Sequence, residues 1–488
     1  MRRRLVHRLP TPVRRHWKIL AAFLAFVAVT VGVFGQARVR PYITGDATVI
    51  SSDITENVAG SVDFFDTGPA HDVSIAFSQS DYDDMIAAYR DEGEKKWITA
   101  DVTIDGTLVT DVGVRLKGNS TLMGLRGTGG PGGGQRGMPE GMEPPAGTAM
   151  PEGRGEGGPG GMVTLSADDP ASLPLLISFD KYVSGRAYQG MTQLSVRPGS
   201  PVLNEAVALS LTAESGQPTQ RYAYTTYSVN GSPTQTRLVL EHPDEEYANS
   251  LFDSDGVLYK ADANSSFTYQ GDDQTTYADQ FDQINAEGSQ DLQPIISFLK
   301  WLDGASDEQF DAELADRVDV DSFARYVATQ NLLVNSDDMA GPGKNYYLWY
   351  DLGTKKISVV SWDLNLALSG NTDAGPHDSI GMGGGARPGG ADPGGAVPGG
   401  MPGGGNALKE RFLASAAFTS VYEDAYRDLY AQLFGSGRAV EILDEIAQTV
   451  PVSDWLGAEK LASEVETLRA RLQARADALA ANEVIVAG

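Results

Sequence analysis

The chain has 488 residues, with 38 Lys and Arg against 65 Asp and Glu, a formal charge of −27 and no cysteine. Without cysteine there are no disulfides, zinc–thiolate sites, iron–sulfur clusters or thiol nucleophiles, so stability rests on an apolar core, for which a hydrophobic fraction of 41% is sufficient. The length exceeds one ordinary core and suits a two-part body with extensions, and no repeat of fixed period is visible.

Charge divides the chain near its start. Arg2, Arg3, Arg4, Arg8, Arg14, Arg15 and Lys18 form a basic leader, residues 1–18, followed by an uncharged run of 17 residues from Ile19 to Gly35. That run is at the short limit of the roughly 17–25 residues that span a bilayer. A basic flank before an apolar helix predicts a signal anchor at 19–35, single-pass, with the leader in the cytoplasm and everything after it outside. Gly35-Gln36-Ala37 offers the alternative, cleavage after Ala37 and release of a secreted protein. Residues 36–60 read as a linker. Beyond residue 40 the chain carries 29 basic against 65 acidic residues, a balance of −36. Such a surface repels nucleic acid and anionic membrane, favours basic or neutral protein partners and divalent cations, and keeps an exported protein soluble.

Residues 61–240 read as a mostly β part. Val73 to Phe77, Ile98 to Ile104 and Val112 to Leu116 have strand patterns, with Asp105-Gly106 as the hairpin turn between the last two. A Gly-, Pro- and Met-rich tract, 124–162, interrupts them without the three-residue glycine period of collagen, and is expected to be an insertion. Leu203 to Ala213 is helical in pattern, and Arg237 to Glu241 reads as a strand ending in a hinge. Asp253-Ser254-Asp255-Gly256 lacks the later ligands of a calcium loop and reads as a turn.

Residues 241–488 hold the stretch with the most chemistry. Asp321 or Ser322 is the expected N-cap of a helix with apolar Phe323, Tyr326, Val327, Leu332 and Leu333, ending near Asn335. Asn335-Ser336-Asp337-Asp338 follows. Tyr346 to Tyr350 and Ile357 to Trp362 then predict a hairpin that turns at Asp351-Leu352-Gly353-Thr354. Folding back there brings Asn345 and Asp363 to the open end, where Asp337 and Asp338 also arrive, so oxygen ligands converge as a hard divalent cation requires. Helix, Asp, Asn, hairpin, Asp is the order of catalytic groups in a protein kinase, although the literal kinase motifs are absent. A second Gly- and Pro-rich tract, 381–405, follows. Leu408 to Leu433, Ala439 to Thr449 and Val452 to Ala481 are helical in pattern, the last with Leu461, Val465, Leu468, Leu472 and Leu479 along one face. None of the five histidines (His7, His16, His71, His242, His377) accompanies a Gly-x-Ser-x-Gly elbow, and His242 and His377 read as loop residues, so serine-hydrolase chemistry is not indicated.

From about Val73 to the C-terminal helices the chain resembles the spore coat protein H (CotH) kinase-like family. The resemblance is carried by Val112-Gly113-Val114-Arg115-Leu116-Lys117-Gly118-Asn119-Ser120, Phe179-Asp180-Lys181-Tyr182, Leu258-Tyr259-Lys260-Ala261, the Asn335 to Asn345 segment and Trp362-Asp363. It implies an α+β, atypical two-lobed protein-kinase-like fold, with a β-rich small lobe (61–240) and a helical large lobe (241–488) after the single transmembrane helix. The implied activity is transfer of the ATP γ-phosphate to Ser/Thr hydroxyls of envelope or secreted proteins. On matching positions Asp337 resembles the catalytic Asp, with Asp338 beside it. Asp363 resembles the metal-binding Asp for Mg²⁺ or Mn²⁺, and Asn345 a second metal or phosphate contact.

The chain departs from the family in two places. Leu173 to Ser178 has no lysine where many members carry one, so the phosphate-anchoring cation is expected from Lys117 first, then Lys181 or Lys260, with Arg115 in the same strand as Lys117. Asn365 stands where an acidic residue is common, and can still ligate a cation with less charge. Glu205 or Glu214 is positioned to partner the cation as the helix C glutamate does in kinases, or to be a surface charge. Two alternatives compete with catalysis: an inactive kinase-like envelope assembly or binding protein, and a surface protein that uses the oxygen cluster for structural calcium.

Overall fold

The computed structural model describes residues 54–66, 68–119, 121–122, 124–125, 165–381 and 405–487. The basic leader, the expected anchor at 19–35, the possible cleavage site and all but the end residues of the two Gly-rich tracts lie outside them. Among the described residues no helix is long and apolar enough to cross a membrane.

The chain is α+β. Its first half closes a seven-stranded barrel from β2 (His71–Ala76), β3 (Ile98–Ile104), β4 (Thr107–Leu116), β5 (Leu175–Ser178), β7 (Gln193–Val196), β9 (Gln235–Glu241) and β8 (Tyr222–Val229), in that spatial order. Parallel pairing of β2 with β8 closes it. Strict alternation in β3 sends Ile98, Ala100, Val102 and Ile104 into the interior, where they meet Val73, Ile75, Val112, Val114, Ile177 and Leu194. Asp105 and Gly106, both at positive φ (47° and 79°), make the expected two-residue turn. Strand β4 begins five residues before the predicted Val112. A register shift opposite Asp111 (φ 54°) and an exposed Leu108 break the alternation that would have announced its first half. Residues 56–58, expected in a linker, form the short strand β1 (Glu56–Val58) paired with β6 (Arg186–Tyr188).

Helix α1 (Gln79–Glu92) lies between β2 and β3, capped by Ser78 and ended by Gly93 at φ 76°. Helix α2 (Leu203–Glu214) is buried on nearly every face, which explains its apolar composition. It joins the second core with Tyr224, Leu238 and Leu240 of the barrel wall.

The second half is built on the antiparallel sheet β11 (Phe281–Gln283), β10 (Gly256–Ala261), β12 (Tyr346–Asp351) and β13 (Ile357–Ser361), in that order, with α3 (Glu245–Ser250) ahead of it. Asp253 to Asp255 bend into β10, tied to the β12–β13 end by Ser254 donating to Asp351 at 2.5 Å. Helices α4 (Gln293–Gly304), α5 (Asp307–Glu313) and α6 (Val320–Leu332) follow before the hairpin, and α7 (Ala407–Ala414), α8 (Thr419–Leu429), α9 (Arg438–Thr449), α10 (Ala458–Ala480) and α11 (Glu483–Val486) after it. The N-cap of α6 is Asp319, whose carboxylate accepts from the Ser322 N–H at 3.0 Å, not the expected Asp321 or Ser322. The single helix expected over Leu408 to Leu433 is broken at Ser415. Its hydroxyl accepts from the Ala417 N–H at 3.1 Å and so offers the backbone a turn in place of the helix. A π-helical turn, Tyr430–Gly435, extends α8, and α10 begins six residues after the predicted Val452.

One buried side chain ties the last long helix to the loops after α6 and β13. Arg475 of α10 is 1% exposed and donates to the carbonyls of Asn331 (2.9 Å), Leu332 (3.2 Å), Thr372 (2.9 Å) and Ala374, and to the Tyr426 hydroxyl (3.1 Å). Two of those carbonyls lie in the last turn of α6, where a cation is favoured, and the Asn331 carbonyl also accepts from the Val334 N–H at 2.9 Å. Arg475→Leu strands these carbonyls in a dry interior and is expected to cost on the order of 3 kcal/mol, measured by urea unfolding.

Candidate functional site

The loop after α6 is wound around one carboxylate. Asp337 Oδ1 accepts from the Gly343 N–H at 2.5 Å, and Oδ2 from the Asn345 side-chain amide at 3.0 Å. Its own N–H donates to Asn335 Oδ1 at 3.2 Å, and Asn335 is held in turn by Gln330 of α6 at 2.8 Å. Gly341 and Gly343 permit this winding because a Cβ on either would lie 2.4 Å from Asp337 Cα or 2.5 Å from Asp337 Oδ2. Burial, together with the negative charge of Asp363, pushes the Asp337 carboxyl above its ordinary range, against the pull of the Gly343 N–H.

Asp338 faces elsewhere. It is buried, its Oδ1 accepts from the Ala340 N–H at 2.9 Å, and its Oδ2 forms an ion pair with Lys409 of α7. The same helix start is fastened to the loop twice more, by the Gly405 N–H donating to Ala340 O at 2.9 Å and by Lys344 Nζ donating to Gly405 O at 2.9 Å.

Asp363 follows β13 in the left-handed conformation, φ 52° and ψ 63°. Its Oδ1 is paired with Nη2 of Arg197, whose Nε bonds Glu205 Oε2 at 2.7 Å. Arg197 stands at the end of β7, and Glu205, 1% exposed, in the first turn of α2. Burial works against the guanidinium charge, yet the Asp363 and Glu205 carboxylates prevail and hold Arg197 above its ordinary range. Burial pushes Glu205 up as well, against the pull of Arg197. A surface role for Glu205 is thereby corrected. Glu214 is the surface residue of the two, 3.5 Å from Arg438. The neighbouring Asn204 donates to the carbonyls of Asn365 (2.7 Å) and Ala367 (3.1 Å), so the first turn of α2 also fixes the backbone after Asp363. Asn365 enters the structure through that carbonyl.

Lys117, at the end of β4, bonds Ser195 Oγ at 2.5 Å and His242 Nδ1 at 3.2 Å and lies 5.0 Å from the centre of the Trp362 ring. Burial, then the Arg197 charge, pulls its pKa well below the usual lysine range. His242 is pulled down by burial and by Lys117, Lys260 and Arg115, so it is neutral and its Nδ1 can accept. Lys260 of β10 approaches the same Trp362 ring at 5.9 Å. Arg115 and Lys181 instead flank Trp97, at 4.7 Å and 5.3 Å. Lys181 is exposed there, whereas Arg115 has a buried Nε with no hydrogen-bond partner among the described residues.

The structure thus assembles Asp337, Asn345, Asp363, Glu205, Lys117 and Lys260 and sets Asp338 and Lys181 to one side. It adds Arg197, Ser195, His242 and Lys409, none of which sequence reasoning selected as site residues. A local signal existed for Arg197, a lone arginine before Pro198-Gly199 and just upstream of the Glu205 helix. Arg197 and Lys117 also account for the lysine-free segment before Phe179. Leu175, Leu176 and Ile177 of β5 are buried, and β5 is flanked by β4, which Lys117 directly follows, and by β7, which Arg197 directly follows.

A metal has few protein ligands here. Among the described residues no group of three or more His, Asp or Glu side chains is placed to hold one. Asp363 and the side-chain oxygen of Asn345 are the candidate oxygen donors with Asp337. That set fits Mg²⁺ or Mn²⁺, which take one or two carboxylates and complete their shell with water and phosphate oxygens.

Comparison with known proteins bears on this arrangement. A comparison with curated proteins gives no match. Among solved structures, a chain of the Shewanella oneidensis MR-1 toxin–antitoxin complex of HipA, HipB and operator DNA is distantly similar, at 10% identity and a TM-score of 0.30. The likeness covers 59% of this chain and 58% of that one. The family model described as CotH kinase protein matches residues 198–471, which take in Glu205, Lys260, Asp337, Asn345 and Asp363. With more than half of its length matched, the chain belongs to the CotH kinase protein family.

Proposed function

We propose that this chain is a protein-kinase-like phosphotransferase that moves the γ-phosphate of ATP to Ser or Thr hydroxyls of envelope or secreted proteins. The observation that carries the reading is the gathering of Asp337 and Asp363 beneath Lys117, Arg197 and Lys260 in a chain that is otherwise strongly acidic. The barrel is the small lobe, the second sheet with its helices the large lobe, and His242 to Asp244 the passage between them. The basic leader and apolar run at 19–35 support an extracytoplasmic placement.

In this reading Lys117, Arg197 and Lys260 receive the phosphates. A divalent cation held at Asp363, with Asn345 beside it, supplies charge neutralisation of the phosphate oxygens. Asp337 orients the substrate hydroxyl and accepts its proton as the hydroxyl oxygen bonds to the γ-phosphorus. The bond from that phosphorus to the β–γ bridging oxygen breaks, and ADP leaves with the electron pair. The raised proton affinity of Asp337 suits a proton acceptor. The Asn345 amide and Gly343 N–H fix its orientation. An inactive binding protein remains the second reading, favoured by the Arg197 contact that engages Asp363.

Two measurements test the reading. In thermal shift on the full-length chain, ATP with Mg²⁺ or Mn²⁺ is expected to stabilise the protein, and Asp363→Ala to abolish that shift. Asp337→Asn should keep it while turnover falls by about 10²–10⁴-fold. No response of the parent chain to nucleotide would instead favour the binding protein. Lys409→Met frees Asp338 and loosens the loop that carries Asp337, so kcat should fall by on the order of 10²-fold with KM for ATP unchanged, and Lys409→Arg should recover most of it.

A further inference from the structure

Arg197 engages the same carboxylate that the metal needs. Its Nη2 is on Asp363 Oδ1, while its Nε is held by Glu205, a side chain only 1% exposed that is anchored in the first turn of α2. The two ends of the guanidinium therefore differ in mobility. The Nε end is fixed by a buried partner, whereas the Nη end meets Asp363, which is 28% exposed. A cation arriving alone would meet an Asp363 whose charge is already spent on Arg197, with no cluster of acidic ligands among the described residues to compensate. A phosphate arriving with it changes the balance, because a guanidinium bonds phosphate oxygens in a bidentate manner at least as well as a single carboxylate oxygen.

Resting on the phosphotransfer reading, we propose that Arg197 guards Asp363: it holds the carboxylate closed to a free divalent cation and turns its Nη groups to the nucleotide phosphates when they arrive. Metal and nucleotide are then admitted as a pair. Because binding coupling is reciprocal, nucleotide must raise metal affinity by the factor by which metal raises nucleotide affinity.

The test uses the full-length chain, Mn²⁺ followed by its paramagnetic resonance signal, and a non-hydrolysable ATP analogue followed by calorimetry. The parent chain is expected to bind Mn²⁺ alone weakly and the analogue with Mn²⁺ well. Arg197→Gln should bind Mn²⁺ alone at least about tenfold more tightly and the analogue without metal at least about tenfold more weakly. Those opposite signs separate the proposal from general damage to the site, which would weaken both. Arg197→Gln with Glu205→Gln removes the buried carboxylate the single change would strand, and should give the same pattern if the single variant folds poorly. Arg197→Lys should retain analogue binding. Unchanged or weaker binding of Mn²⁺ alone by both the single and the double variant overturns the proposal while leaving phosphotransfer standing. Failure of the parent chain to bind the analogue with Mn²⁺ overturns both.

Discussion

A guanidinium removed from water must be met by acceptors, and Arg197 is met by two carboxylates from different parts of the chain. Glu205 comes from the helix packed on the barrel and Asp363 from the loop after the hairpin, so one side chain makes the register between these parts a matter of electrostatics. The bond from Asn204 to the carbonyl of Asn365 fixes the same register through neutral groups. The first turn of α2 and the loop after β13 are thus set relative to each other before any ligand arrives.

The apolar strand β5 gains its meaning from the same arrangement. Leu175, Leu176 and Ile177 are committed to packing, and the charge that a lysine would bring is delivered by the ends of the two strands beside it. A shift of one strand in a closed barrel moves a side chain by roughly 5 Å, well within the reach of a lysine or arginine stem.

Much of the fold was legible because its signals are local. The β3–β4 turn, the α2 and α6 helices, the β12–β13 hairpin and the apolar face of α10 all follow from short-range periodicity and turn chemistry. The failures were local competitions as well. Asp319 outcompeted its neighbours as the cap of α6, the Ser415 hydroxyl cut a long helical pattern in two, and Asp111 hid half of β4. In the site, Asp337, Asn345 and Asp363 could be grouped because a single hairpin brings them together. Lys117 was expected there as a phosphate anchor, but its meeting with Arg197 and His242 was not legible. They meet across strands widely separated in sequence, and nothing within a few residues of His242 announces that it packs against Trp362. Glu205 was underestimated for the same reason, since the guanidinium it holds is shared with Asp363, more than 150 residues later in the chain.

Arg475 also places the site in time. A chain made from its N-terminus extends through Asp337 and Asp363 long before it reaches the arginine that satisfies the carbonyls of Asn331, Leu332, Thr372 and Ala374. Until that residue arrives, those four carbonyls lack the guanidinium that bridges them. A polypeptide truncated before Arg475 therefore carries every acidic group of the site without the guanidinium that joins the end of α6 to the loop after β13.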